Sequence, residues 1–248
     1  LSEGADGVVM IEYCALLDDK TIEISKAISP LENIIQPGDD FKVGAVFLQK
    51  GQRLRPQDLG VVAGLGFSHI PVFCIPKVAI ISTGDEIVQV EKKPLSGQVR
   101  DINRYTLGAF CREMGAEPLP MGICRDDFQM LKDMVQEGAE RADSVWVSGG
   151  SSVGTRDLTL KVFETLPGFE LLVHGISISP GKPTILGKCG AGTFVGLPGH
   201  VASALVVAQV FMSRVILRLR GEDHFRAYAF REVEAELSQN VESANGRE

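Results

Sequence analysis

Four glycine-rich runs carry the residue types from which an anion site is built. The first is Val147-Ser148-Gly149-Gly150-Ser151-Ser152-Val153-Gly154-Thr155-Arg156-Asp157. The others are Ser82-Thr83-Gly84-Asp85-Glu86, Ser179-Pro180-Gly181-Lys182-Pro183 and Gly196-Leu197-Pro198-Gly199-His200. A Gly/Ser turn between a strand and a helix converges backbone N–H groups, hydroxyls and a helix N-terminus on one point, which suits a phosphate or another oxyanion. Each run adjoins a strand-like pattern, so together they predict one composite pocket for an anionic ligand. Acids at Asp40, Asp85, Glu86, Asp126 and Asp157 suit metal-assisted chemistry on a phosphorylated compound. No Ser/His/Asp order and no H-E-x-x-H spacing is present, so covalent catalysis has no obvious nucleophile.

The elements that must position these residues follow from periodicity. Residues 1–76 read as strands and turns, with short β candidates at Val8–Ile11, Thr21–Ile24 and Ala45–Leu48. A helix is expected over Gln57–Leu65, ended by Gly66, and a strand between Pro71 and Pro76. From Lys77 strands and helices alternate. Strands are expected at Val78–Ile81, Pro118–Ile123, Ser144–Val147, 170–176, 184–187 and 193–196. Helices are expected at Asp101–Met114, Phe128–Arg141, about 157–166 and about Val201–Leu219. Such alternation predicts an α/β fold, a mostly parallel sheet with helices on both faces, whose ligands sit where strand ends meet helix starts. Val233, Ala235 and Leu237 alternate with acids, which opens a further strand. The expected organisation is a β-rich region over 1–76, an α/β domain over 77–220 and the start of a small β domain over 221–248.

Composition narrows the class. The chain has 248 residues, 44% of them hydrophobic, and a net charge of -7. That acidity argues against non-specific nucleic-acid binding, which needs a basic surface. The cysteines, 5 in number, include no C-x-x-C pair, which points away from a disulfide framework or zinc site and towards a reducing, cytoplasmic setting. The apolar run from Val201 to Met212 is expected to be a buried helix rather than a membrane span. No signal-peptide pattern is expected at the start, and Leu1 and Glu248 read as the ends of a piece of a longer protein.

Each motif also has a plainer reading. Ser82–Glu86 resembles an ordinary turn with capping acids, and Asp101 or Asn103 could simply cap a helix. The run around Lys182 is not a P-loop, because five residues separate Gly175 from Gly181 and Pro183 stands where Ser or Thr is required. Gly64-Leu65-Gly66 lacks the third glycine of a dinucleotide fingerprint. A lone His200 at a helix start is more often a cap or surface residue.

In their order, the motifs resemble those of the molybdopterin molybdenumtransferase family, the MoeA type related to the C-terminal part of gephyrin. The resemblance rests on Gly4–Met10, Gly38-Asp39-Asp40, the run at 82–86, Asp101-Ile102-Asn103 and Arg125-Asp126-Asp127. It continues through Gly149–Gly154 with Asp157, Pro180-Gly181-Lys182-Pro183 and Gly196–Gly199, and so covers nearly the whole chain. It implies an elongated multi-domain homodimer with a three-layer molybdopterin-binding α/β domain. It implies adenylated molybdopterin and molybdate as substrates, with Mg²⁺ or another divalent cation, and release of AMP on metal insertion. A molybdopterin adenylyltransferase is the implied upstream partner; no nucleic acid and no membrane is expected. By position, Asp40, Glu86, Asp126 and Asp157 match the family's catalytic acids, Glu86 and Asp157 being candidates to hold the cation. Substrate contacts are expected at Ser82, Thr83, Gly84, Asp85, Asp101, Asn103, Gly149, Gly150, Ser151, Ser152, Gly181, Lys182, Pro198 and Gly199, with Pro198 near the molybdate. Asp40 of one chain is expected to approach the pocket of the other.

Two positions depart from the family pattern. Ser179 stands where Lys or Arg commonly precedes P-G-K-P, and Val201 replaces the Pro that commonly follows G-L-P-G-N or G-L-P-G-H. Both keep a non-catalytic molybdopterin-binding scaffold open as an alternative. A molybdopterin adenylyltransferase is the other alternative, against which the β-rich residues 1–76 argue.

Overall fold

The computed structural model describes residues 2–149 and 153–222, together with Glu236 and Ser238. The chain divides into two compact units, Leu1–Gln49 and Lys50–Glu248. The alternating apolar residues of the further strand, Val233, Ala235 and Leu237, lie outside the described residues.

In the first unit, β1 (Cys14–Asp18) pairs antiparallel with β2 (Thr21–Ile24). Asp18 Oδ1 accepts from the Lys20 N–H at 2.8 Å, which closes the turn between them. Strands expected at Val8–Ile11 and Ala45–Leu48 are absent: Ile11–Tyr13 is a 3-10 turn and 45–48 has no ladder partner. Apolar runs of four residues mark a strand only where a second strand satisfies their backbone groups.

The second unit opens with α1 (Pro56–Gly64). Pro56 suits a first helical position, where an N–H has no intrahelical partner. Asp58 Oδ2 accepts from the Arg55 N–H at 2.8 Å, and its carboxyl also takes two bonds from the Arg55 guanidinium. Residues 71–76 form no strand.

Next come β3 (Lys77–Thr83), β4 (Ile87–Val88), β5 (Val99–Arg100), α2 (Asn103–Glu113), β6 (Glu117–Cys124) and α3 (Phe128–Arg141). The chain continues through β7 (Ser144–Gly149), α4 (Val153–Phe163), β8 (Phe169–His174), β9 (Ile185–Cys189), β10 (Gly192–Leu197) and α5 (Val201–Leu219). Helix α4 begins four residues before the expected start, inside the glycine-rich run. Asp127 caps α3, its carboxylate accepting from the Met130 N–H at 2.7 Å.

The six-stranded sheet has the order β6-β3-β7-β10-β9-β8. Strands β6, β3, β7 and β10 run parallel, and β9 and β8 are antiparallel additions. Alternation along the strands splits the core between the faces. Val78, Ile80, Trp146, Val195 and Leu197 pack with Leu107 and Cys111 of α2 and with Ala204, Met212 and Ile216 of α5. Ala79, Ile81, Val145, Val147 and Phe194 pack with Leu131 and Val135 of α3 and with Val162 and Phe163 of α4. The result is the expected three-layer α/β architecture. Each fully buried Val, Leu or Ile contributes roughly 1.5–3 kcal/mol.

Helix α5 is long and apolar enough to cross a bilayer by composition alone, with a mean hydropathy of 1.6. Its buried face instead belongs to the sheet's core. Residues Ala204, Ala208, Met212 and Ile216 recur every fourth place, a stripe that drifts by about 40° per step on a helix of 3.6 residues per turn. A π turn at Ala208–Met212 takes up part of that drift, and Ser213 Oγ caps the Gln209 carbonyl at 2.6 Å. At the far end Arg220 Nη1 donates to the Met114 carbonyl at 2.7 Å and pairs with Glu222 at 2.7 Å, fastening α5 to the end of α2. Gly115, at φ 75°, leaves room for that guanidinium, which a Cβ would overlap.

Candidate ligand-binding site at the strand ends

Strands β3 and β7 end side by side, with Ser82 in register with Ser148 and Thr83 with Gly149. The backbones approach so closely there that a Cβ on Gly149 would overlap the Thr83 carbonyl oxygen. Ser82, Thr83 and Ser148 are buried. Their hydroxyls do not all point to an open anion pocket. Ser82 Oγ donates to Asp101 Oδ1 at 2.8 Å, and Asp101 Oδ1 also accepts from Arg104 N–H at 3.1 Å. Asp101 therefore caps α2 and ties it to β3 at once.

Asn103 makes the equivalent tie to the next strand. Its Nδ2 donates to Ser148 Oγ at 2.7 Å and to the Gly199 carbonyl at 2.8 Å. The Gly199 carbonyl can only accept, which fixes the amide's orientation. Asp101 and Asn103 are 4% and 8% exposed, and Asp101 Oδ2 and Asn103 Oδ1 are buried without a hydrogen-bond partner. Ser148 was not among the residues expected at the site. Its only sequence signal was its place at a strand end before Gly149-Gly150.

Beyond β3 the chain turns through Gly84, Asp85 and Glu86 into the small parallel pair β4/β5, where Val99 N–H donates to the Glu86 carbonyl at 2.9 Å. Asp126, after β6, donates its N–H to Asp85 Oδ1 at 3.3 Å. Asp85 and Asp126 are exposed and Glu86 is half-buried. Partial burial, and then the charges of Asp85 and Glu86, raise the Asp126 carboxyl above its ordinary value. The structure thus brings together Asp85, Glu86 and Asp126, and separately Ser82, Asp101, Asn103 and Ser148.

The loop between β8 and β9 is closed by backbone bonds from Gly175 N to Thr184 O at 2.7 Å and from Ile176 N to Lys182 O at 2.9 Å. Thr184 Oγ1 donates to the Gly181 carbonyl at 2.7 Å. This holds Lys182 on a constrained turn with its side chain exposed. A small hollow, with room for about one water, lies between that loop and the ends of β7 and β10, lined by Gly149, Thr159, Pro183, Leu197 and Pro198 among others.

Some expected site residues are placed elsewhere or fall outside the description. Asp40 belongs to the first unit, on the exposed turn where Gln36 N–H donates to Asp39 Oδ2 at 2.7 Å. Gly150, Ser151 and Ser152 lie outside the described residues, as does the side chain of Asp157 on α4. Among the described residues no three His, Cys, Asp or Glu side chains form a ready-made metal site. The carboxylates at 85, 86 and 126 still have the oxygen chemistry that Mg²⁺ prefers. Mg²⁺ is commonly held by one or two carboxylates plus ligand phosphates, a set that such a surface can complete. Burial pushes the Cys111 thiol up to about 12 and the Cys124 thiol up to about 11, so neither supplies a thiolate nucleophile near neutral pH.

Residues 79–218 match a family model described as a probable molybdopterin binding domain, and residues 1–66 match one described as the MoeA N-terminal region, domains I and II. A molybdopterin molybdenumtransferase of Haemophilus influenzae is 35% identical over 253 residues, covering 100% of this chain and 60% of its own length. Another, of Bacillus subtilis, is 30% identical over 87% of this chain and 51% of its own. A MoeA protein of Pyrococcus horikoshii superposes with a TM-score of 0.71 at 35% identity, covering 88% of this chain and 54% of that one. The chain thus spans little more than half the length of the relatives it matches. With motifs, fold and both family models in agreement along its length, the chain belongs to the MoeA-type family of molybdopterin-biosynthesis proteins.

Proposed function

We propose that this chain is part of an enzyme of molybdenum cofactor biosynthesis that inserts molybdate into adenylated molybdopterin and releases AMP. The observation that carries this reading is the juxtaposition, at the ends of β3 and β7, of buried acceptors at Asp101 and Asn103 with the Gly149 turn, in a chain of this family. The acids at Asp85, Glu86 and Asp126 and the exposed Lys182 lie on loops that leave the same sheet. The glycine-rich turn continuing into Gly150, Ser151 and Ser152 suits a phosphate, as does Lys182. Glu86 and Asp126, with Asp157, suit a shared Mg²⁺, which when bound supplies charge neutralisation on phosphate oxygens. Pro198 marks the proposed place for molybdate. We place the α/β domain at 77–220, between a β-rich region at 1–76 and the start of a β domain at 221–248, in a cytoplasmic homodimer in which Asp40 of one chain serves the other's pocket. An adenylyltransferase supplying the substrate is the proposed upstream partner.

The test is single-turnover conversion by the full-length protein. Adenylated molybdopterin, Mg²⁺ and molybdate should give AMP and a molybdenum-loaded pterin, with AMP release depending on molybdate. Release of AMP at the same rate without molybdate would reject insertion.

Ser179 favours keeping the scaffold reading beside this one. Its exposed hydroxyl is neutral, and hydrogen bonds with an ionised partner are roughly twice as strong as neutral ones. Ser179→Lys should strengthen molybdate binding in calorimetric titration of the full-length protein, with Arg156 partly compensating in the unmodified chain. Equal affinities would mean that the oxyanion is held elsewhere.

A further inference from the structure

The loop between β8 and β9 carries Lys182 at the edge of the sheet, where β8 is the outermost strand. Its hydrogen bonds, from Gly175 N–H to Thr184, from Ile176 N–H to Lys182 and from the Thr184 hydroxyl to Gly181, join residues of the loop to one another. Those bonds set its shape without tying it to any other element. Packing on α5 supplies the tie. Gly181 is buried, and a Cβ there would come within 2.7 Å of Ile178 Cδ1 and 2.8 Å of Val207 Cγ2. Val207 is fully buried. Ile176 and Ile178, alternating with the exposed Ser177 and Ser179, lie against the core cluster that contains Val207.

Val207 immediately precedes the π turn at Ala208–Met212. Such turns are uncommon within α-helices and occur frequently at functional sites. Helix α5 also starts just after Gly199, whose carbonyl accepts from Asn103. One helix therefore relates the Lys182 loop to the ends of β10 and α2. We propose that Val207 and Ile178 are positioning residues, which act through Gly181 to hold the Lys182 ammonium group in place for an anion. This inference rests on the reading of Lys182 as a phosphate ligand. A lysine stem already gives up side-chain freedom when it binds. A loop that must be ordered at the same moment gives up more, and affinity falls accordingly.

The experiment titrates adenylated molybdopterin, without molybdate, into the full-length protein by calorimetry. Lys182→Ala should weaken binding about tenfold to a hundredfold. Val207→Ala, which withdraws Cγ2 from Gly181, should weaken it about threefold to tenfold, and should add nothing in a Lys182→Ala background. Val207→Thr keeps the branched shape and should restore most of the affinity, although its hydroxyl makes the core less stable. Ile178→Val removes Cδ1 from the same contact at the half-buried edge of the core. It should weaken binding about twofold to threefold, again only where Lys182 is intact, and it decides the matter if Val207→Ala does not fold. The inference is overturned by an equal loss with and without the Lys182 side chain, by an equal loss from Val207→Ala and Val207→Thr, or by no loss from Val207→Ala and Ile178→Val. If Lys182→Ala itself binds as tightly as the unmodified protein, the phosphate reading of Lys182 fails, and the positioning role fails with it.

Discussion

Two groups of polar side chains at the strand ends differ in almost every physical respect. Asp101 and Asn103 are buried, each tied by two hydrogen bonds, and held between secondary-structure elements. Asp85 and Asp126 are exposed on turns, and the structure records one hydrogen bond between them, from the Asp126 N–H to the Asp85 carboxylate. The first group can recognise a shape, because its geometry is set before any ligand arrives. The second can respond to charge, because three nearby carboxyl groups repel one another and are relieved by a cation or a proton. On the proposed function the site needs both kinds, one to fix the substrate's position and one to neutralise its phosphates, and here they come from different sides of β3.

Breaking the frame common to both groups should have the largest effect. Gly149→Ala forces a Cβ into the Thr83 carbonyl and must part the ends of β3 and β7, at a cost of about 3 kcal/mol. Denaturant unfolding of the variant should show it, and a loss below 1 kcal/mol, taken as about the smallest overpacking cost, would mean the strand ends are softer than described.

The buried group can be tested alone. Ser82→Ala removes one of the two donors to Asp101 Oδ1 and should cost about 1–3 kcal/mol. The same substitution in an Asp101→Ala background should cost little, since the partner that needed it is gone. A full, unchanged cost there would show that Ser82 acts by some route other than Asp101.

The exposed group should give the smallest effect, with the opposite sign. The Asp126 carboxyl is raised by partial burial and by Asp85 and Glu86, so its stabilising contribution is complete below its unfolded value and is lost as pH rises through the folded one. Asp126→Asn, which mimics the protonated form, should therefore stabilise at neutral pH and do nothing below about pH 3.8. Solvent screening limits the gain to about 0.5 kcal/mol. Thermal melts at the two pH values measure it, and equal shifts at both would refute the electrostatic cause.

The same contrast explains how much could be read from sequence. Val78–Ile81 and Ser144–Val147 were legible because continuous apolar runs flanked by turn residues can be little else in a fold of alternating strands and helices. Helix α4 was placed too late because Val153-Gly154-Thr155 has the poor helix propensity of a loop, which tertiary packing of Val162 and Phe163 overrides. Val8–Ile11 misled in the opposite way, since Ile11 is 82% exposed and has no partner strand. Asp101, Asn103, Ser82 and Lys182 were recognisable as polar residues in motifs. The bond from Asn103 to Ser148 spans 45 positions, and no spacing rule reaches so far. What sequence withheld was which polar atoms the protein pairs with its own groups and which it leaves unpaired.

Trp146 gives the molecule a built-in spectroscopic reporter. It is the one tryptophan of the chain, fully buried in β7 beside Phe110, with its indole N–H donated to Ser144 Oγ at 2.8 Å. Its emission will shift to the red when water enters the sheet core, and it is blind to the unit Leu1–Gln49, which has no indole. Far-ultraviolet circular dichroism sees both units. Coincident melting curves from the two signals would mean that the units unfold as one cooperative body, and separated curves would give each its own midpoint without labelling or truncation.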